Sequence, residues 1–497
     1  MIFFKKELKN LNSKVFIDSG FIESQILWVL PIIDGYCSKL GLKKIVFQKE
    51  LSSKLKTNSF VKDFLTKYEI EYLEKKKFKI LYKIFVLFLS TIIFPYYFLV
   101  LTRKTILKEK NWFKSQVYHA LWDTSLSLGK DGDLKPSLIN LFKSSYLINY
   151  NFILVLQLKS KYSIHSSFLS HSVYQGRIFL AMLRKSSNVF CQSAFNFYRQ
   201  PENFDESWSI LKDEKNLNRI LRKISDEDVE KYWNKRLSGR GKVYESNLIN
   251  KFDNKNLEKD INVIMLHVFR DSSFNFIDKE RIFCDYIDWI YNTIKILKNS
   301  NEKWYIRPHP FSYRWGEESI KFIDKIKENL GVNKSNFDYL DNNISNNLIF
   351  EKAKKLLTYS GTAFIEFASY GKKAIIISDV IPKFYQEQIS IKPKSLKEYE
   401  NLINNEINLN EFNLKNDKAK LSQKLIFSRE NVTNLAGDTG GYFVYRNDGE
   451  EIKDQEYKSV EIKLGENLNY FNQLGSKFLS KNFTHSISSN YINKIEF

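Results

Sequence analysis

Between Lys355 and Ser378 the chain follows an order that few folds can use. Lys355 to Tyr359 reads as a short buried strand, and Ser360-Gly361-Thr362 as a tight turn. Ala363 to Tyr370 reads as a helix stopped by Gly371, and Lys372 to Ser378 as a second strand. Two strands joined through a helix pair in parallel by a crossover, not as a hairpin. Parallel sheets need both faces covered, so the segment commits the chain to a layered α/β architecture. The turn also has chemistry of its own. Backbone N–H groups at a helix start are unpaired and carry the positive end of the dipole, which attracts an anion. Glu366 lies one turn beyond Thr362 on the same face, within reach of a ribose hydroxyl.

A second loop of this kind stands about fifty residues earlier, at Trp304-Tyr305-Ile306-Arg307-Pro308-His309-Pro310. A β-favouring run ends in a guanidinium and an imidazole two residues apart. Arginine matches phosphate oxygens with a planar fork, and histidine can donate a hydrogen bond or a proton. The two prolines keep the loop from becoming helix. A lone His-Pro or Ser-Gly-Thr is an ordinary loop. Their order and their strand context are what point to a nucleotide site made of Arg307, His309, Ser360, Gly361, Thr362 and Glu366.

An Arg-x-His-Pro loop, a Gly-Thr-x-x-x-Glu helix start and the strand Ala374-Ile375-Ile376-Ile377 together resemble the carboxy-terminal half of GT-B glycosyltransferases. Within that fold the likeness is to bacterial capsule and lipopolysaccharide biosynthesis proteins, a group that includes Kdo transferases using CMP-Kdo. It extends from about Ile261 to Pro382 and is much weaker before that. Lys373 stands where relatives commonly carry proline, which affects turn rigidity more than chemistry. The resemblance implies two Rossmann-like, doubly wound domains facing a cleft, with the nucleotide-sugar donor bound as substrate on the second and no further cofactor. It also implies an acceptor, glycan or lipid-linked, presented by the first.

The remaining candidates follow from the same geography, because open α/β sheets bind ligands beyond the carboxyl ends of their strands. His267 and Asp271 follow the strand Ile261 to Leu266. The resemblance to capsule-type transferases suggests Asp271 as a nucleophile or base, and on residue type alone it reads equally as the cap of a turn. In the first half Asp18 and Glu23 follow the opening strand, while His171, Tyr174 and Arg177 follow Ser170; these are the acceptor-side residues. Glu23 reads as a general acid or base, or as a charge matched to a helix start. Asp131-Gly132-Asp133 matches the Asp-x-Asp metal pattern, but it lacks strand context and reads as a turn, so no metal is expected.

Lys14 to Asp18, Ser24 to Leu40 closed by Gly41, and Lys43 to Gln48 read as the opening βαβ of the first domain. Further strands are predicted at Val117 to Leu121, Phe152 to Leu158, Ser167 to Ser170 and Asn188 to Gln192, with a helix from Arg177 to Arg184. These elements divide the chain into an amino-terminal Rossmann-like domain, 1–200, carrying an apolar insert at 79–104, and a polar helical connector, 201–260. A nucleotide-donor domain, 261–425, and a carboxy-terminal extension, 426–497, follow. In the connector, Arg236 and Arg240 read as a solvated linker face.

The 77 Lys and Arg against 57 Asp and Glu give a formal charge of +20. An anionic partner surface follows, and no zinc-ligand or RNA-binding signature points to nucleic acid. Ile84 to Leu101 holds eighteen residues without a formal charge, flanked by Lys83 and by Arg103-Lys104. A membrane span usually needs about 20. A span would put the two halves of one site on opposite sides of the bilayer, so the segment reads as a helix or hairpin lying on or dipping into an anionic inner membrane. A buried core helix is the alternative. No cleavable leader is evident, and Cys37, Cys191 and Cys284 show no metal or disulfide spacing, which fits the cytoplasm.

Four functions remain open on the sequence. The first is a metal-independent glycosyltransferase building a capsule or lipopolysaccharide. The others are a polyol-phosphate transferase using CDP-glycerol, a nucleotide-sugar 2-epimerase, and a noncatalytic capsule-assembly factor.

Overall fold

The computed structural model describes residues 13–74, 79–130, 132–170, 173–193, 196–199, 214–237, 257–271, 282–310, 312, 316–332, 337–341, 344–404, 412–439, 449–477, 486–491 and 494. The first half runs β1 (Lys14–Ile17), α1 (Glu23–Leu40), β2 (Lys44–Phe47), α2 (Ser53–Thr57), α3 (Ser59–Lys67) and β3 (Glu69–Tyr72). A helical segment follows: α4 (Lys79–Val100), α5 (Arg103–Lys108), α6 (Trp112–Ser127) and α7 (Leu138–Lys161). The half ends with β4 (Ile164–Leu169), α8 (Gly176–Leu183), β5 (Asn188–Ser193) and β6 (Asn196–Arg199). Helices α9 (Glu214–Lys223) and α10 (Asp226–Lys235) lead to the second half.

That half runs β7 (Ile261–Met265), α11 (Tyr286–Leu297), β8 (Trp304–Arg307), α12 (Ser319–Leu330), β9 (Phe337–Tyr339) and α13 (Asn346–Lys352). It continues with β10 (Ala353–Thr358), α14 (Ala363–Ala368), β11 (Ala374–Ile376), α15 (Lys383–Ile389) and β12 (Ser390–Ile391). Then come α16 (Leu396–Ile403), α17 (Asn416–Phe427), a π-helical turn at Ser428–Val432, α18 (Ala436–Thr439) and α19 (Glu450–Lys477).

Each half carries one six-stranded sheet, in the orders β3-β2-β1-β4-β5-β6 and β12-β11-β10-β7-β8-β9. All pairings are parallel except β5 with β6. This is the α/β architecture of two Rossmann-like, doubly wound sheets expected from the sequence. Strand order reverses between β1 and β4 in the first sheet and between β10 and β7 in the second. Crevices for ligands open at such switch points.

The opening βαβ forms as its residues dictate. Gly41 adopts φ 68°, which closes α1 and lets the Leu42 N–H reach Cys37 O at 3.0 Å. Val117 to Leu121 and Phe152 to Leu158, predicted as strands, lie inside α6 and α7. A short apolar run reads the same in either state. The outcome was set by the helix caps: Asn111 Oδ1 accepts from Lys114 N–H at 3.0 Å, and Ser137 Oγ from Asn140 N–H at 3.2 Å. The half-polar edge strands β3 and β6 escaped the sequence reading because neither shows a long apolar run.

The core is continuous across the halves. Leu121 and Trp122 of α6 pack in one apolar cluster with Ile264, Phe283 and Ile287 of the second half. The carboxy-terminal helix α19 returns to the first half and lies along α1 with backbones in contact. A Cβ added at Gly475 would sit 1.9 Å from Ile32 O, and one at Gly35 2.0 Å from Asn472 O. Gly465, in the same helix, has nothing within 4 Å of such a Cβ. Substituting Gly475→Ala is therefore expected to cost about 1–3 kcal/mol through overpacking. Gly465→Ala is expected to gain up to about 1 kcal/mol by relieving backbone entropy. Denaturant unfolding of the two variants reads the opposite signs.

Candidate functional site

The second sheet's switch point brings together loops that are far apart in sequence. β7 delivers His267, and its Nε2 accepts the Ser360 N–H from the loop after β10 at 3.2 Å, with Thr358 Oγ1 at 3.3 Å. The ring stacks on Tyr286 at 4.5 Å between centroids and 13° between planes. Burial, with the charge of nearby His309 second, presses the His267 pKa down to about 3. The imidazole is therefore neutral in ordinary buffers. The Ser360 bond assigns its proton to Nδ1, which is left as a donor.

Gly361 packs closely against the His267 ring. A Cβ on it would meet His267 Cε1 at 3.1 Å and Thr358 Oγ1 at 3.4 Å. Gly361, Thr362 and His309 keep partly accessible surface, whereas Ser360 is buried. The floor of the site is thus a neutral ring under a glycine turn, with His309 in the loop after the adjoining strand β8.

Across the cleft, the Tyr174 hydroxyl donates to Asp271 Oδ1 at 2.6 Å. Tyr174 belongs to the loop after β4 and takes the left-handed φ of 51°, an uncommon conformation for a tyrosine. The bond joins the carboxyl ends of the two sheets and brings two expected site residues together. Asp271 also closes a turn, its N–H donating to Val268 O at 3.1 Å. Its carboxylate is felt by Tyr286, whose hydroxyl is held well above the ordinary tyrosine range by burial first and by Asp271 next.

Two residues that sequence reasoning missed support this loop. Glu317 Oε2 accepts the Arg270 N–H at 2.9 Å, and its Oε1 accepts Ser319 Oγ at 2.8 Å. Burial pushes its pKa up to about 7. Tyr286 is the other, set by α11 against His267. Neither carried a local signal, since one is the first of two glutamates before a helix and the other an ordinary first-turn helix residue.

Other expected ligands have different work. Arg307 is buried, with Nη1 donating to Asp341 O at 2.6 Å and Nη2 to Ile344 O at 3.0 Å. Its fork holds the loop after β9, where a phosphate contact was expected. Glu366 is buried and paired with Arg236 Nη2 at 2.8 Å, so its carboxylate faces a guanidinium and not an open ribose site. Arg236 is itself buried, and its Nη1 reaches Glu430 Oε2 at 2.8 Å, which replaces the solvated linker face expected for it. Arg240 lies outside the described residues.

On the acceptor side, Asp18 bolts two loops together. Its Oδ1 accepts the N–H groups of Ser170 and Gly20, each at 3.1 Å, and its Oδ2 accepts Ser170 Oγ at 3.0 Å. Burial raises its pKa to about 6. Arg177 is buried on Gln116 Oε1 at 3.0 Å, with Asp123 at 4.0 Å, and so offers no open guanidinium to an acceptor. Glu23 starts α1 and lies 4.0 Å from Lys54, which also binds Asp454 of α19. That supports its reading as a helix-start charge. His171 and Asp131 lie outside the described residues, and Asp133 closes a turn on the Lys130 N–H at 2.8 Å.

Two predictions follow from this geometry. Arg307→Ala leaves buried carbonyls without donors and is expected to cost about 1–3 kcal/mol of stability, read by urea unfolding. Glu317 keeps its proton up to about 7 in the folded chain, against 4.5 for an ordinary glutamate. Its contribution is complete below the lower value and is lost as pH rises through the higher one. Asp18 acts in the same direction; His267, with a depressed pKa, loses its contribution as pH falls from 6.5 toward 3. Glu317→Gln should flatten the fall of melting temperature between pH 4.5 and 7.

No family model matches the chain, and no curated protein does. Solved structures similar to it include the UDP-GlcNAc 2-epimerase of Neisseria meningitidis bound to UDP-GlcNAc, at 9% identity over 84% of this chain and 98% of that one, with a TM-score of 0.27. A glycosyltransferase from Rickettsia africae matches at 10% identity over 95% and 100%, TM-score 0.21. The lipopolysaccharide outer core galactosyltransferase WaaB matches at 10% over 92% and 99%, TM-score 0.26. At these values the likenesses do not bear on substrate.

Proposed function

We propose that the chain is a GT-B glycosyltransferase that moves a sugar from a nucleotide-activated donor to a surface glycan or lipid-linked acceptor. One observation carries this reading: His267, His309 and the Ser360-Gly361-Thr362 turn converge at the second sheet's switch point, facing the Tyr174–Asp271 pair. The imidazoles and the turn suit the donor phosphate, and the accessible glycine lets a ligand approach the backbone closely.

Asp271 is the carboxylate for the chemistry, as nucleophile in a retaining reaction or base in an inverting one. Tyr174 donates to it across the cleft, which fixes the carboxylate's position. His267, neutral and fixed, positions the turn and offers Nδ1–H as a donor. CMP-Kdo is the first donor to test, on the sequence resemblance, with CDP-glycerol next.

A thermal-shift screen of CMP, CDP and UDP compounds, followed by product analysis with and without acceptor, tests the reading. Conversion of donor without acceptor would replace it by an epimerase. Nucleotide binding with no turnover in any donor and acceptor combination would leave an assembly factor. Asp271→Asn should lower transfer by roughly a hundred- to ten-thousand-fold with nucleotide affinity nearly unchanged. His309→Ala should weaken nucleotide binding by about 1.5–3 kcal/mol. Unchanged turnover in the first variant would remove Asp271 from the chemistry.

A further inference from the structure

Helix α4 is apolar on the wrong side. Its inner stripe, Tyr82, Val86, Ser90, Phe94 and Tyr97, repeats at helical spacing and faces the protein. The outer face is as apolar as the inner: Ile80, Ile84, Phe88, Ile92 and Leu99 are 73%, 58%, 64%, 59% and 76% exposed. Leu138 and Ile139, where α7 begins, are also exposed, at 55% and 68%. Ile80–Val100 has a mean hydropathy of 1.9 over its most apolar window, and 11% of that window is buried. Surface helices in water carry polar residues on the outer face, so this one is built for a non-aqueous neighbour.

The packing shows how such a neighbour must lie. α4 runs antiparallel along α7. The Tyr82 hydroxyl donates to Tyr150 O at 2.9 Å, Asn149 Nδ2 donates to the buried Ser90 Oγ at 3.0 Å, and Phe94 meets Phe142 edge-on at 5.3 Å. α7 is in turn part of the domain body, with Leu154, Val155 and Leu158 in one cluster with Phe16 of β1 and Val46 of β2. At its carboxyl end α4 is fixed too, by the buried Leu101 and by Arg103, whose Nε donates to Asp285 at 2.8 Å. A helix held along its whole length cannot cross a bilayer without drawing its sheet in with it.

Charge names the neighbour. Residues 79–170 carry twelve Lys or Arg against four Asp or Glu. Lys83, Lys104, Lys108, Lys110 and Lys143 are exposed around the apolar face. Of the acids, Asp123 is buried, and Glu109 is paired with Lys114 at 3.2 Å. An apolar plate rimmed with lysine fits the surface of an anionic bilayer, with the plate among acyl chains and the ammonium groups at the head groups.

We infer that α4 lies in the plane of an anionic membrane as a fixed, one-sided anchor. The inference does not depend on the donor reading above. The full chain should co-sediment with phosphatidylcholine vesicles doped with phosphatidylglycerol and much less with phosphatidylcholine alone. Lys83→Cys and Lys104→Cys, made singly, should both react with an impermeant maleimide from outside intact vesicles, since the native cysteines are buried. Labelling of either only after detergent would mean a span and overturn the inference.

The triple variant Phe88→Ser, Ile92→Ser, Leu99→Ser should lose vesicle binding with an unchanged melting temperature and circular dichroism. Retained binding by that variant would overturn the inference. So would a lipid-free dimer that the same substitutions dissociate, since the plate would then cover a second copy of the chain. If the variant unfolds, the wild-type sedimentation and the two labelling sites still decide.

Discussion

One carboxylate holds the two halves in register. Asp285 caps α11 by accepting the Asp288 N–H at 2.7 Å on Oδ1. Its Oδ2 takes Arg103 Nε at 2.8 Å and Trp122 Nε1 at 3.0 Å. The side chain is 1% exposed, and an unpaired charge there would be costly. The partners come from α5 and α6 of the first half, and the capped helix is the first helix of the second. The next residue is Tyr286, which stacks on His267, so the fit of the halves sets the ring beneath the candidate site. Arg103 follows α4 directly, and the same contact therefore fixes the attitude of the apolar plate.

Basic residues are used inside this molecule to a degree that the net charge of +20 conceals. Arg307 and Lys355 are buried on backbone carbonyls, Arg177 on Gln116 and Asp123, and Arg236 between Glu366 and Glu430. A guanidinium has donors enough to satisfy several buried acceptors at once, which makes it useful wherever loops must be tied down away from water. The lysines exposed around α4 are a different population, facing solvent.

The fold was legible where local rules are strong. The βαβ units at Lys14 to Phe47 and Ala353 to Ile376 declare themselves through apolar runs, turn residues and the glycines at 41 and 371, both with positive φ. The reading failed at α6 and α7, whose apolar runs sit within helices that bury more than one face, and at the edge strands β3 and β6. At the candidate site, His267 and Asp271 were legible as loop positions because they follow a clear strand. Glu317 and Tyr286 were not, since their roles come from neighbours 47 and 19 residues away in sequence.

The sequence by itself determined that this chain forms parallel, doubly wound sheets, where their loops end, and that one segment is too apolar for water. Each rests on periodicity, turn chemistry or composition, which act over a few residues. Only the tertiary structure decided which polar groups are open to a ligand. Arg307 and His309 stand two residues apart in one motif, yet the first is drawn beneath the loop after β9 while the second keeps accessible surface. Tyr174 and Asp271 meet across 97 residues. Burial and partnership are long-range properties, fixed when the sheets face each other, and no local pattern carries them.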